Sequence, residues 1–250
     1  MSVSPTPGSE TGYAEMAQRQ QALQAVLSEH DRAPYLFFDP PRRDGAEERA
    51  LLVFLHGSGE RGTDLDLVRL QGLPRLLDAG LEVPFPVASP QCPVGTEWTD
   101  RLDVVDAFVG ALLREHPVDP DRVYLSGMSM GGAGTWHLAV ARPERFAAIA
   151  PVCAYHTWPE GDPSPVRAIR HVPVWAFHGE EDEVVPADAS RELVDTLEAC
   201  GGNVRLTLYP DVGHASWDRA YGDPRLYAWL LAQRRRERVG GPPGGAAPGA

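Results

Sequence analysis

Apolar residues recur along this chain in short unbroken runs, separated by longer stretches in which they return every three or four positions. The clearest run is ALLVFLHG (50–57). A run without alternation suits a strand buried on both faces, as in a parallel sheet. Similar runs are FPVASPQ (85–91), RVYLSG (122–127), FAAIAPVC (146–153), VPVWAFHG (172–179) and VRLTLYP (204–210), and PYLFFDP (34–40) is a short strand closed by prolines. RRDGAEER (42–49) reads as a turn. Helical spacing is expected over 13–30, which has a polar face, and over 100–115, where Leu102, Val105, Phe108, Val109 and Leu112 share one face. It is expected again over 130–142, where Arg142-Pro143 ends it, and over 187–200 and 224–236. Strands alternating with helices predict an α/β fold, a doubly wound and mostly parallel sheet with helices on both faces.

The chain has 250 residues, and the pattern is read as a single domain over 13–236. Residues 1–12 are a polar arm expected to be flexible, and the Gly/Pro-rich tail 237–250 is expected to be disordered. The formal net charge of −12 argues against nucleic acid as a partner. All 23 basic residues are arginine, which excludes a Schiff-base lysine, a serine–lysine dyad and a phosphate-loop lysine. Cys92, Cys153 and Cys200 are widely spaced and form no C-x-x-C pair, so neither a metal site nor a cofactor is expected. The first residues lack the apolar core of a signal peptide and no stretch is long enough to span a bilayer. A cytoplasmic protein without a membrane partner is the expectation.

In such a sheet, function collects at the carboxyl ends of the strands. Four stretches fall there: HGSGERG (56–62), GMSMGG (127–132), HGEEDEVVP (178–186) and YPDVGHASWD (209–218). G-x-S-x-G is a weak signal by itself, but here it joins a strand to a helix, where a nucleophile elbow must lie. Ser129 is therefore the candidate nucleophile. A serine hydroxyl needs a base, and His214, after the last strand, is the candidate. His56 and His178 read instead as turn residues at strand ends, and His137 as a helix residue. The base needs an acid to hold its tautomer, and Asp182 leads Glu180, Glu181 and Glu183 because Val184, Val185 and Pro186 follow it and could shield it. Acyl transfer also needs backbone donors for the oxyanion. These are expected from the amide of Met130, after the nucleophile, and from the amide of Ser58 in the loop after the first long strand.

The motifs LVFLHGSGERG, SPQCPVGTEW, DPDRVYLSGMSMGG, FHGEEDEVVP and YPDVGHASWDRAY resemble, in order, those of the α/β-hydrolase superfamily, within it the small phospholipase/carboxylesterase-like group related to dienelactone hydrolases. The resemblance runs from about residue 33 to 236. It implies a serine hydrolase with Ser129, Asp182 and His214 as triad and supports Ser58 and Met130 as oxyanion donors. It also puts Trp98 and Trp217 near the cleft as substrate contacts, unless they belong to the core. The leading reading is hydrolysis of small carboxylic esters through an acyl-enzyme. Peptidase or thioesterase action by the same triad is the alternative, and a non-catalytic binding protein on the same fold is a third. No large lid is expected: residues 154–171 hold Pro159, Pro163 and Pro165 and only a short apolar stretch around Val166 and Ile169. Trp158 could be a rim or a packing residue. Nothing in the sequence indicates the oligomeric state.

Overall fold

The computed structural model describes residues 23–26, 34–41 and 49–235. One sheet of eight strands organises it, in the order β1-β2-β4-β3-β5-β6-β7-β8. The strands are β1 (Leu23–Val26), β2 (Tyr35–Phe38), β3 (Arg49–Leu55), β4 (Val87–Pro90), β5 (Val118–Met128), β6 (Ala148–Val152), β7 (Val174–Gly179) and β8 (Val204–Tyr209). From β4 through β8 neighbours are parallel, and β1 and β2 add antiparallel pairs at one edge.

The unbroken apolar run of β3 has its reason in both faces of this sheet. Leu51, Val53 and Leu55 enter one hydrophobic cluster, while Ala50, Leu52 and Phe54 enter the other. Each fully buried Leu, Val or Phe contributes about 1.5–3 kcal/mol, so neither face can be turned to water. The first cluster is closed by α2 (Leu102–Glu115), α3 (Met130–Ala141) and α4 (Asp188–Ala199). The second is closed by α1 (Gly72–Asp78), α5 (Trp217–Gly222) and α6 (Pro224–Leu231).

The helix expected over 100–115 forms as α2 and buries Val105, Phe108, Val109 and Leu112. It stops before Pro117, and α3 stops before Pro143, because a residue preceding proline is pushed out of the helical region. α6 opens on Pro224, with the Asp223 carboxylate accepting from the Arg225 amide, and ends at Leu231.

One expectation is overturned. The helical spacing over 13–30 does not hold at Leu23–Val26, which is β1, paired antiparallel to β2 with Leu23 opposite Phe38. Pairing with β2 satisfies the outward backbone donors and acceptors of β2 and the inward ones of β1, and this outweighs a weak local helical preference. The rest of that segment, the arm 1–12 and the tail 237–250 lie outside the described residues.

The topology places the site. After β3 the chain moves to β4 on one side, then crosses back to β5 on the other. Connections that leave in opposite directions put α1 and α2 on opposite faces and open a crevice at the carboxyl ends of β3 and β5. Between β6 and β7 the chain makes only two 3-10 turns, Pro159–Gly161 and Ser164–Ile169, and buries Val166 and Ile169 in the core. Among the described residues no helix is long and apolar enough to cross a membrane.

Candidate active site

Ser129 occupies the single position between β5 and α3, with φ 53° and ψ −117°. That conformation costs a non-glycine residue about 1–3 kcal/mol. Bonds on both sides hold it: the Ser129 amide donates to Val152 O at 3.0 Å, and Ser129 O accepts from the Ala133 amide at 3.0 Å, starting the helix. Gly131 makes the turn possible. A Cβ there would stand 1.9 Å from Leu55 O and 2.7 Å from His56 O, so only glycine lets the start of α3 lie against the end of β3.

His214 reaches the serine from the loop after β8. Its Nε2 is 3.0 Å from Ser129 Oγ and its Nδ1 is 2.7 Å from Asp182 Oδ2. The loop is drawn in by a second close approach: a Cβ on Gly179 would stand 2.2 Å from Val212 O. The Glu180 and Glu181 amides donate across this gap to Tyr209 O and Val212 O.

Asp182 is 6% exposed and sits in a tight turn, its Oδ1 accepting from the Val184 and Val185 amides at 3.0 and 2.9 Å. Burial pushes its carboxyl up. The bonds from His214, Val185 and Val184 outweigh this and hold it below the usual carboxylate range. Of the three residues expected to shield it, Val185 is buried, while Val184 and Pro186 are exposed. Glu180, Glu181 and Glu183 are exposed.

The other histidines are occupied elsewhere. His56, fully buried, accepts the Cys92 amide on Nε2 at 2.9 Å and so carries its proton on Nδ1, which donates to Gly57 O at 2.6 Å. His137 accepts the Thr157 amide at 3.1 Å and stacks on Trp158, which packs against the core. His178 is different: its Nε2 lies 3.1 Å from Asp182 Oδ2. Read from sequence as a turn residue, it gave only one signal of this contact, its place four residues before Asp182.

Met130 opens α3, and Ser58 opens a 3-10 turn, Ser58–Glu60. First-turn amides have no acceptor within their own helix, so both are open to an acceptor from outside it. The Arg61 guanidinium, to which the HGSGERG stretch alone gives no role, braces this turn by donating to Ser58 O at 2.9 Å and Thr96 O at 3.3 Å. Beneath the turn, burial holds the Glu60 carboxyl above its ordinary range.

The two tryptophans part company. Trp98, expected as a substrate contact, is 2% exposed, with its indole donating to His56 O at 2.9 Å. Its Cβ lies against Gly134, where an added Cβ would come within 2.5 Å. A ring wedged between α3 and the His56 turn has no face left for a ligand, so Trp98 is core. Trp217 is half-buried and meets the His214 ring edge-to-face at 5.5 Å and 87°. Among the described residues no three His, Cys, Asp or Glu side chains could together hold a metal ion.

This arrangement has relatives. Over 176 residues the chain is 29% identical to NocK of Nocardia uniformis subsp. tsuyamanensis, covering 67% of this chain and 50% of NocK. It is 29% identical over 100 residues to acyl-protein thioesterase 1 of Gibberella zeae, covering 39% of this chain and 43% of that one. The chain thus spans about half the length, or less, of these curated relatives. Its fold superposes on the crystal structure of a thermostable esterase with a TM-score of 0.70 at 34% identity, covering 86% of this chain and 64% of that one. A family model matches residues 95–223, more than half of the chain and a span that holds Ser129, Asp182 and His214. On that match, the chain belongs to the dienelactone hydrolase family.

Proposed function

We propose that this protein is a serine hydrolase that cleaves small carboxylic esters through an acyl-enzyme on Ser129. One observation carries the reading: a serine lifted on a strained elbow, 3.0 Å from a histidine nitrogen whose opposite nitrogen is held by a buried carboxylate. His214 Nε2 takes the hydroxyl proton as Ser129 Oγ attacks the carbonyl carbon. Asp182 fixes the proton on Nδ1 and balances the imidazolium. The Met130 and Ser58 amides receive the oxyanion. As the tetrahedral intermediate collapses, the alcohol leaves with the proton from His214. Water then attacks the acyl-enzyme by the same route and frees Ser129.

The unlidded segment between β6 and β7 supports short, soluble acyl groups, since little apolar surface covers the crevice. The likeness to an acyl-protein thioesterase favours thioesters as the second substrate class. Three free cysteines, two of them buried, are consistent with work in the reducing cytoplasm. The test is a fluorophosphonate label, mapped by peptide mass, with a panel of nitrophenyl esters, thioesters and aminoacyl anilides. Labelling at Ser129 with turnover of short esters is expected. A protein that neither takes the label nor turns over any member of the panel is a binding protein, and the proposal then fails.

A further inference from the structure

The carboxylate behind His214 serves two imidazoles. Asp182 Oδ2 lies 2.7 Å from His214 Nδ1 and 3.1 Å from His178 Nε2, while Oδ1 is taken by two backbone amides. His178 is fully buried at the end of β7. Its partners and its burial together set its protonation. Nε2 is also 2.9 Å from Val185 O, and a carbonyl only accepts, so Nε2 carries a proton. On the other side Nδ1 is 2.7 Å from Ser190 Oγ on α4. With burial holding the ring neutral, Nδ1 is bare and Ser190 donates to it. The only other acceptor within reach of that hydroxyl among the described residues is Ala154 O, at a weak 3.5 Å. The ring therefore has one proton, and Val185 O and Asp182 Oδ2 share it.

We propose that His178 is a positioning residue for the reaction: its Nε2–H turns Asp182 Oδ2 toward His214 and takes part of that oxygen's charge. The inference rests on the hydrolase reading. Two N–H groups on one oxygen divide its hydrogen-bonding capacity, so His214 meets a weaker acceptor than a carboxylate bound to it alone. The divided carboxylate keeps the base from holding its proton too firmly to return it to the leaving group. The charged or titratable groups around His178 are few. Asp182 bonds to it, His214 lies across Asp182 Oδ2, and also beside Asp182 is the Cys153 thiol of the β6 end, kept neutral by burial. Ser190, from α4, contributes only a hydroxyl.

Two variants separate positioning from mere packing. His178→Gln keeps an N–H donor at about the reach of Nε2, and His178→Leu removes it. In the leucine variant the acid limb of the acylation rate is expected to move to higher pH by about half a unit or more, because Asp182 then serves His214 alone. The low-field proton resonance of His214 Nδ1 moves further downfield with it. Glutamine restores both to near the parent values. Equal shifts in the two variants, or none in either, overturn the proposal. Should the leucine variant not fold, nitrogen-15 spectra of the full unmodified chain decide. A neutral His178 with its proton on Nε2 at neutral pH supports the proposal, and an Nδ1–H tautomer or an imidazolium overturns it. These spectra do not depend on turnover, so a failure of the hydrolase reading shows separately, as absence of label on Ser129.

Discussion

Ser129 Oγ and His214 Nε2 stand 3.0 Å apart, although 85 residues separate them along the chain. The contact exists because two turns close tightly: α3 seats on the end of β3 through Gly131, and the loop before His214 seats on the end of β7 through Gly179. Neither approach leaves room for a side chain, so the serine–histidine distance is set by backbone packing and not by side-chain flexibility.

Replacing Ser129 with alanine should lower ester hydrolysis by about a thousandfold or more, since only oxyanion and binding effects then remain. Alanine keeps the Cβ at φ 53°, whereas glycine does not. Ser129→Gly should therefore be inactive too, yet more stable than Ser129→Ala by about 1 kcal/mol. Urea titrations of the two variants compare them; equal midpoints would show that the elbow stores no strain at this residue.

Asp182→Asn should be severely damaging to kcat, because an amide cannot both accept from His214 and balance an imidazolium. Glu180→Gln and Glu183→Gln, at exposed positions, should change kcat less than about twofold. Crippling by Glu181→Gln with a harmless Asp182→Asn would move the acid by one place.

Trp98 should behave as a core residue. Trp98→Ala is expected to destabilise the fold by about 3–5 kcal/mol, and Trp98→Phe by about 1 kcal/mol for the lost bond to His56 O. Chemical denaturation measures both. A variant with unchanged stability and a raised KM would return Trp98 to the substrate.

Stability should fall in mild acid. Burial lowers His56 to about 4, and burial with the neighbouring His156 lowers His137 to about 4. In the unfolded chain both rings take up protons from about pH 6.5 downward. In the folded chain they stay neutral until about pH 4. Stability is thus full above the unfolded value and is lost as pH falls through this window, with a slope of up to about 1.4 kcal/mol per pH unit for each ring. Asp182, held low, keeps its contribution until lower pH still. Urea midpoints measured from pH 7 to 4.5 should decline, and His137→Gln should flatten the decline. A flat profile in the parent protein would count against buried neutral rings.

Acyl length tests the unlidded crevice. With few methylenes buried, each at about 0.8 kcal/mol, kcat/KM for nitrophenyl esters should not climb from acetate to octanoate, nor jump at the micellar threshold. A strong preference for long chains would reveal an acyl tunnel.

The unbroken run of β3, the helical spacing of α2 and the glycine-flanked Ser129 between strand and helix were legible because each rests on neighbours within a few residues. Local chemistry also pointed to His214, the histidine after the last strand, and to Asp182 over its neighbours Glu180, Glu181 and Glu183, because an apolar stretch follows it. Other features were decided only by packing. Leu23–Val26 became β1 because β2 presented an open edge, and Trp98 became core because α3 and the His56 turn close around it. The four-residue spacing of His178 and Asp182 permits their side chains to meet but does not require it. The contact is fixed by what holds its two ends: Ser190 of α4 grips the His178 ring, and His214 grips Asp182 from the loop after β8, which only the parallel pairing of β7 with β8 brings alongside.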